Sequence, residues 1–318
     1  MTCSNESFQG RLRAMQKKIH ELLQQTSKIF LDKEDAVKLA VVCLLADGHL
    51  LIEDVPGVGK TTLVKTLAQL LGLKTNRIQF TIDLLPGDIL GGNLFNAKEQ
   101  KFEFHPGPLF AQVILSDELN RASPRTQSAL LQAMEEGQVS VDASTFNLPK
   151  PFFVIATQNP HQNLGTFPLP ESQLDRFLLS MELSFASKKT EVQIFQNSNP
   201  QEKIKHLTAL FSELELLQIH HEVKNIHVSE TVAEYVGLLL ENSRLSDFPG
   251  AAISTRGGMA LIAAAKAWAY LDHRDFLLPE DIQNVLQPVM GHRLGGTHGL
   301  RQGREWAQSL QKQTSIPR

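Results

Sequence analysis

Between Leu50 and Leu71 the chain reads "LLIEDVPGVGKTTLVKTLAQLL": an apolar run, a loop with two glycines, then an apolar pattern at helical spacing. "GHLLIE" is a short buried strand and Thr61 to Leu71 a helix, so the glycine-bearing loop joins the two. The same alternation continues downstream. "RIQFT", "QVILS", "FFVIAT" and "FLLSMEL" are further strands, and Pro124 to Glu136 is a helix with proline in its first turn. A continuous apolar run such as "QVILS" belongs in the middle of a parallel sheet, where both faces are covered. Five strands alternating with helices as far as about Leu183 predict a doubly wound α/β fold with a parallel five-stranded sheet.

Other elements surround this frame. Leu12, Met15, Ile19, Leu22, Leu23 and Ile29 recur at helical spacing, and a second helix is predicted from Lys33 to Leu45. "LLPGDILGG" reads as a turn, "NLFNAKEQKFEFHPG" as a hairpin turning at Asn96 to Gln100, and "QVSVD" with "STFNL" as another hairpin. After Ser187 strand signals fade. Helices are expected at Glu191 to Asn197, Thr231 to Asn242, Arg256 to Leu271 and Pro279 to Val285. The division expected is therefore 1–187 for the N-terminal helix and α/β core, and 188–318 for a smaller helical domain.

Composition narrows the partners. The 318 residues are 42% hydrophobic, with Lys+Arg 31 against Asp+Glu 34 and a formal net charge of −3. A near balance of charge argues against a dedicated nucleic-acid binder. Cys3 and Cys43 cannot make a disulfide framework or a zinc site. "AVVCLLA" and "MALIAAAKAWAYL" are too short to span a bilayer, and the polar N-terminus is no secretory signal, so a cytoplasmic location is expected.

The loop carries the first candidate site. Between strand and helix, backbone N–H groups turn inward at the positive end of the helix, where phosphate oxygens can sit. "DVPGVGKT" fits G-x-x-x-x-G-K-[ST] except at Asp54, a residue that tolerates left-handed backbone. Asp54, Pro56, Gly57, Val58, Gly59, Lys60, Thr61 and Thr62 would cradle the phosphates. Lys60 would reach the β- and γ-phosphates, and the Thr61 hydroxyl would ligate magnesium. A glycine-rich turn with an incidental lysine is the alternative.

"VILSDEL" supplies the second. Its apolar strand ends in Asp117 and Glu118, at the carboxyl edge where open α/β sheets bind ligands. Asp117 suits a magnesium ion and Glu118 suits a general base on water. The pair could instead cap the next segment. "FFVIATQNP" ends in Gln158 and Asn159, amides able to hold both a water and a γ-phosphate. Arg176 is either an ordinary ion-pair partner of Asp175 or something more. Arg256 opens a helix behind Ser254 and Thr255; a cation there opposes the helix dipole and suggests an anionic partner outside the helix, or is simply a helix-start arginine. His220, His221 and His227 read as a solvated helix end rather than a metal cluster.

Taken in order, these stretches resemble the AAA+ ATPases, and specifically the MoxR family, from about Ile19 to Arg304. "EDVPGVGKTTL" looks like that family's Walker A, in which aspartate at the position of Asp54 is a familiar variant. "DELNRASPRTQSALLQAMEEG" resembles Walker B and the helix behind it, and "ATQNPHQNLGTFPLPESQLDRF" the segment from sensor 1 to the arginine finger. "FTIDLLPGDILGG" resembles a family signature, with Ile82 for a usual proline and Gly87 for a usual serine.

The resemblance implies Asn159 as sensor 1, Arg176 as the finger reaching a neighbouring subunit's γ-phosphate and Arg256 as sensor 2. The Phe95 to Phe104 hairpin looks like the insertion in helix 2. It further implies ATP and Mg2+ as ligands, a homo-oligomeric ring that is commonly a hexamer, and a chaperone-like role. A partner with a von Willebrand factor A domain is often part of that role. Leu31-Asp32-Lys33 departs from the usual Val-Gly-Gln beside the adenine, and Arg121 and Arg125 are either a second trans cation or surface charges. The expected activity is Mg-dependent ATP hydrolysis, with a slow nucleotide-gated scaffold and a DNA-acting motor of the same branch as rivals.

Overall fold

The computed structural model describes residues 3–53, 55, 57–142, 144–159, 165–197, 200–245 and 247–317. Helices α1 (Cys3–Ile29) and α2 (Glu34–Leu45) precede the first strand, β1 (Leu50–Glu53), and the glycine loop leads into α3 (Lys60–Leu71). Then come β2 (Thr75–Gln79), a short helix α4 (Pro86–Leu90), and the hairpin β3 (Gly91–Asn96) and β4 (Lys101–Pro106). Helix α4 lies inside the stretch expected to be only a turn. Pro86 opens it, and the Asp88 carboxylate accepts from the Leu85 N–H, so a single turn is stabilised locally.

Strand β5 (Val113–Asp117) is followed by α5 (Pro124–Glu136), hairpin β6 (Gln138–Val141) and β7 (Ser144–Asn147), β8 (Phe153–Gln158), α6 (Glu171–Leu174) and β9 (Leu179–Met181). The five long-range strands pair in the order β2-β5-β8-β1-β9, and all four pairings are parallel. Side-chain alternation divides the core between the two faces of this sheet. Leu50, Ile52, Val113, Leu115, Phe153 and Ile155 join one apolar cluster, while Leu51, Ile114, Val154 and Ala156 join the other. Buried on both faces, these strands have to read as unbroken apolar runs.

Seven helices complete the described chain: α7 (Lys188–Asn197), α8 (Pro200–Lys205), α9 (Glu213–Lys224), α10 (Glu230–Ser243), α11 (Thr255–Leu271), α12 (Pro279–Gly295) and α13 (Leu300–Gln313). Helix α12 runs on past Val285, the expected end, and through Pro288. Gly303 lets α13 lie against α12: a β-carbon there would come within 1.8 Å of the Gly291 carbonyl oxygen. Helix α9, not expected from the sequence, is closed at its start by a reciprocal cap between Ser212 and Glu215. It corrects the reading of the histidines. His220 is buried on its inner face, with Nδ1 3.4 Å from the Asp47 carboxylate, while His221 is exposed.

Two polar junctions fasten these helices to the sheet. On α12, buried Arg293 holds the Asp175 carboxylate at 2.6 Å and donates to the carbonyls of Asp175, Phe177 and Leu178. Next to it, His292 lies 2.8 Å from the Ser180 hydroxyl and 3.0 Å from the Phe177 carbonyl. At the other junction Glu53, ending β1, accepts from the Gln158 amide and, at 3.3 Å, from the backbone N–H of Leu300 at the start of α13. No helix among the described residues is long and apolar enough to cross a membrane.

Candidate functional site

The carboxyl ends of β1, β5 and β8 converge on one cleft, as crevices of parallel sheets do. It encloses about 320 Å³ and is lined by Gly57, Gly59, Lys60 and Thr61 on one side, and by Asp117, Glu118 and Asn159 on the other. Gly59 is in the left-handed region, with φ 95°, and is the N-cap of α3. A β-carbon on it would also meet the Phe30 ring at 2.9 Å, so only glycine suits the position. With no side chain to cap the helix, the N–H groups of its first turn are presented to an anion.

Opposite, Thr157 on β8 organises the acidic pair. Its hydroxyl donates to Asp117 Oδ1 at 2.9 Å and accepts from the Glu118 N–H at 3.0 Å. Glu118 has left-handed backbone, with φ 57°, which turns the chain sharply as it leaves β5. Each carboxylate also has an arginine: Arg77 from β2 on Asp117 Oδ2 at 2.7 Å, and Arg121 on Glu118 Oε2 at 2.9 Å. Asn159 is buried at the cleft, and its carbonyl accepts from the Asn120 amide at 3.2 Å. Gln158, by contrast, spends its amide on Glu53. Burial outweighs the two hydrogen bonds Glu53 accepts and pushes its carboxyl above the usual range.

A second hollow of about 450 Å³ shares Gly57 and Gly59 and continues past Val58 and Thr62 to Phe30, Leu31, Phe185 and Phe195. A hollow with aromatic walls beside a polar one is a shape that suits a nucleobase next to its phosphates. The Leu31-Asp32-Lys33 loop along it is tied to the segment after β9. Lys33 Nζ donates to the carbonyls of Leu183 and, at 2.6 Å, Ser184. The Asp32 carboxylate accepts from the Ser187 N–H at 2.9 Å, a bond that lowers its pKa.

The far side of the molecule holds a cation cluster. Helix α5, 13 residues and about 20 Å long, runs back to the opposite edge of the sheet, where the Met134 carbonyl meets His49 just before β1. There one carboxylate, Glu135, binds both Arg176 and Arg256, each at 3.0 Å. The anionic partner expected outside the helix of Arg256 is thus Glu135, and Ser254 caps that helix by accepting from the Gly257 N–H at 3.0 Å.

Comparison with known proteins settles the family. The chain is 34% identical to Chaperone MoxR1 of Mycobacterium tuberculosis over 92% of this chain and 80% of that protein. It belongs to the MoxR family of AAA+ ATPases. Residues 49–179 match the ATPase family associated with various cellular activities, and residues 250–313 match the AAA lid domain. The uncharacterized protein YeaC of Bacillus subtilis is 42% identical over 88% of this chain and 89% of its own length. A crystal structure assigned as an ATPase, from Cytophaga hutchinsonii, superposes with a TM-score of 0.88 at 32% identity, covering 99% of both chains. An AAA+ core with a parallel five-stranded sheet and a C-terminal helical lid is therefore the fold of this MoxR family member.

Within that frame, the structure gathers Gly57, Gly59, Lys60, Thr61, Asp117, Glu118 and Asn159 into one cleft, with Val58 and Thr62 lining the adjoining hollow. Asp54 and Pro56 lie outside the described residues, as do residues 160–164 of the segment from sensor 1 to the finger. Arg176 and Arg256 are not among the residues of the cleft. The pairing of Arg176 with Asp175 is corrected: Asp175 is taken by Arg293 and by the Ser254 hydroxyl, and Arg176 turns to Glu135. Arg121 is held on Glu118, and Arg125 is exposed on α5. Thr157, Arg77 and Glu135 were not singled out from sequence, and no local pattern marks them.

The donor set fits the ligands implied by the family. Asp117 and Thr61 offer hard oxygens of the kind magnesium binds, and the glycine-capped helix with Lys60 offers N–H groups and a cation to phosphates.

Proposed function

We propose that this MoxR family chain hydrolyses ATP to ADP and phosphate with magnesium, and does so in a homo-oligomeric ring, commonly hexameric, that remodels or activates a partner protein. A partner bearing a von Willebrand factor A domain is the class the family resemblance suggests, and the cytoplasm the compartment. The work is divided between a core of residues 1–187 and a lid of residues 188–318. The observation that carries the reading is the opposition, across one cleft, of Lys60 and the first turn of α3 to Asp117, Glu118 and Asn159.

In this reading the N–H groups of α3 and the Lys60 ammonium hold the β- and γ-phosphates. Thr61 and Asp117 would hold the metal, which would supply positive charge against the phosphates. Glu118 takes a proton from the attacking water at a carboxylate oxygen, once that oxygen has parted from Arg121. The Asn159 amide orients that water against the γ-phosphate. Arg176, the finger, and Arg256, the sensor 2 residue, both sit on Glu135 at the far end of α5, a helix about 20 Å long, which favours service of a neighbour's cleft by Arg176. That geometry supports a head-to-tail interface, in which one subunit offers Lys60, Asp117 and Glu118 and the next offers Arg176.

Glu118→Gln tests the reading. The amide keeps the shape but takes no proton, so ATP should still bind while turnover falls by about 10²–10⁴. Wild-type turnover in a variant that binds ATP would remove Glu118 as the base.

A further inference from the structure

Both carboxylate oxygens of Asp117 are already engaged. Its side chain is 13% exposed, its Oδ1 accepts from Thr157, and its Oδ2 accepts from Arg77 through two nitrogens, Nε at 2.9 Å and Nη2 at 2.7 Å. Arg77 arrives from the edge strand. In the parallel pair β2–β5, Gln79 lies level with Asp117 and Arg77 is two residues behind it, on the same face. Between them Ile78 points into the core. The guanidinium therefore reaches forward over β5, and Nη2 also donates to the Gln79 side-chain oxygen at 3.0 Å. The arginine itself is 54% exposed, so it can turn away at little packing cost, whereas Asp117 is held in place by Thr157.

With two guanidinium nitrogens on Oδ2, a divalent cation there competes for the same lone pairs, and two cations a few ångströms apart repel. We propose that Arg77 is an internal counter-cation of Asp117 that competes with the divalent metal for Oδ2. The metal is seated only as the guanidinium swings off, still tethered near the cleft by Gln79. Arg77 is thus a positioning residue that sets the metal affinity of the site. The proposal rests on the reading of the cleft as a metal–nucleotide site.

The test measures metal rather than turnover. Mn2+ is titrated into the full-length protein saturated with ADP, and unbound Mn2+ is read from its paramagnetic resonance signal. ADP affinity is measured separately in EDTA by calorimetry. Arg77→Gln removes a charge-assisted bond and a repelling charge, and should tighten Mn2+ binding by about tenfold. Arg77→Lys keeps the charge and should stay within about threefold of wild type, a distinction that a purely structural role for the side chain would not produce. Mn2+ affinity that is unchanged or weaker in Arg77→Gln, with ADP still bound, overturns the proposal and leaves the nucleotide reading standing. Wild-type protein that binds no ADP with or without Mn2+ would instead sink the nucleotide reading itself.

Discussion

Arg176 offers the sharpest test of assembly. Its guanidinium sits on Glu135 in the last turn of α5, a helix of 13 residues and about 20 Å whose first turn follows the acidic pair by about six residues. An arginine side chain extends only about 7 Å from its α-carbon, so Arg176 cannot reach its own cleft without unfolding the segment that carries it. If it completes a neighbour's site, Arg176→Ala should bind ATP as wild type does and lose about 10³–10⁵ in turnover, by analogy with other arginine fingers. Glu118→Gln alone should be comparably inactive. In an equal, freely exchanging mixture of the two variants, half of the subunits offer an intact glutamate and half an intact arginine. About a quarter of head-to-tail interfaces then have both, and about a quarter of wild-type phosphate release should return. Phosphate release is followed at constant total protein, with a labelled subunit confirming exchange. A mixture that exchanges but stays inactive would refute the trans reading and the heterologous interface with it.

Other perturbations test the site and the lid junction. Lys60→Ala should nearly abolish ATP binding, since charge-assisted contacts to phosphate contribute roughly 1.5–3 kcal/mol; an unchanged dissociation constant by calorimetry would sink the phosphate-cradle assignment. Asp175→Ala leaves the Arg293 guanidinium, 7% exposed, without its carboxylate, and should destabilise the core–lid junction by about 3–5 kcal/mol. Faster limited proteolysis at that junction is the readout, and wild-type protection would argue against it. Burial first, and then neighbouring Arg293, hold His292 well below the usual imidazole range. Its contribution to stability is therefore complete above about pH 6.5 and is lost as pH falls, with a slope of about 1.4 kcal/mol per pH unit. Denaturation midpoints should decline below that pH in wild type and decline less steeply in His292→Gln.

The five strands of the sheet, the glycine loop after the first of them and the acidic pair at the end of β5 were legible in the sequence. Their determinants are local: strands buried on both faces must be apolar throughout, a glycine loop needs its glycines in place, and Asp117 and Glu118 directly follow the strand that positions them. Sequence reasoning faltered where local signals conflicted. Pro288 hid the second half of α12, and the paired histidines disguised α9 as a helix end although His220 faces the core. What tertiary structure alone decided is the partnership of polar groups. Thr157 and Arg77 each lie 40 residues from the carboxylate they hold, and Arg293 lies 118 from Asp175. Arg176 has an acid beside it in the chain, yet the fold gives that acid to Arg293 and brings Arg176 and Arg256 to Glu135 instead. Hydrophobic burial leaves a period in the sequence because every turn of a helix and every other strand residue must meet the core. A hydrogen bond between distant side chains leaves none, because a single residue on each side suffices and only the packed chain brings the two together.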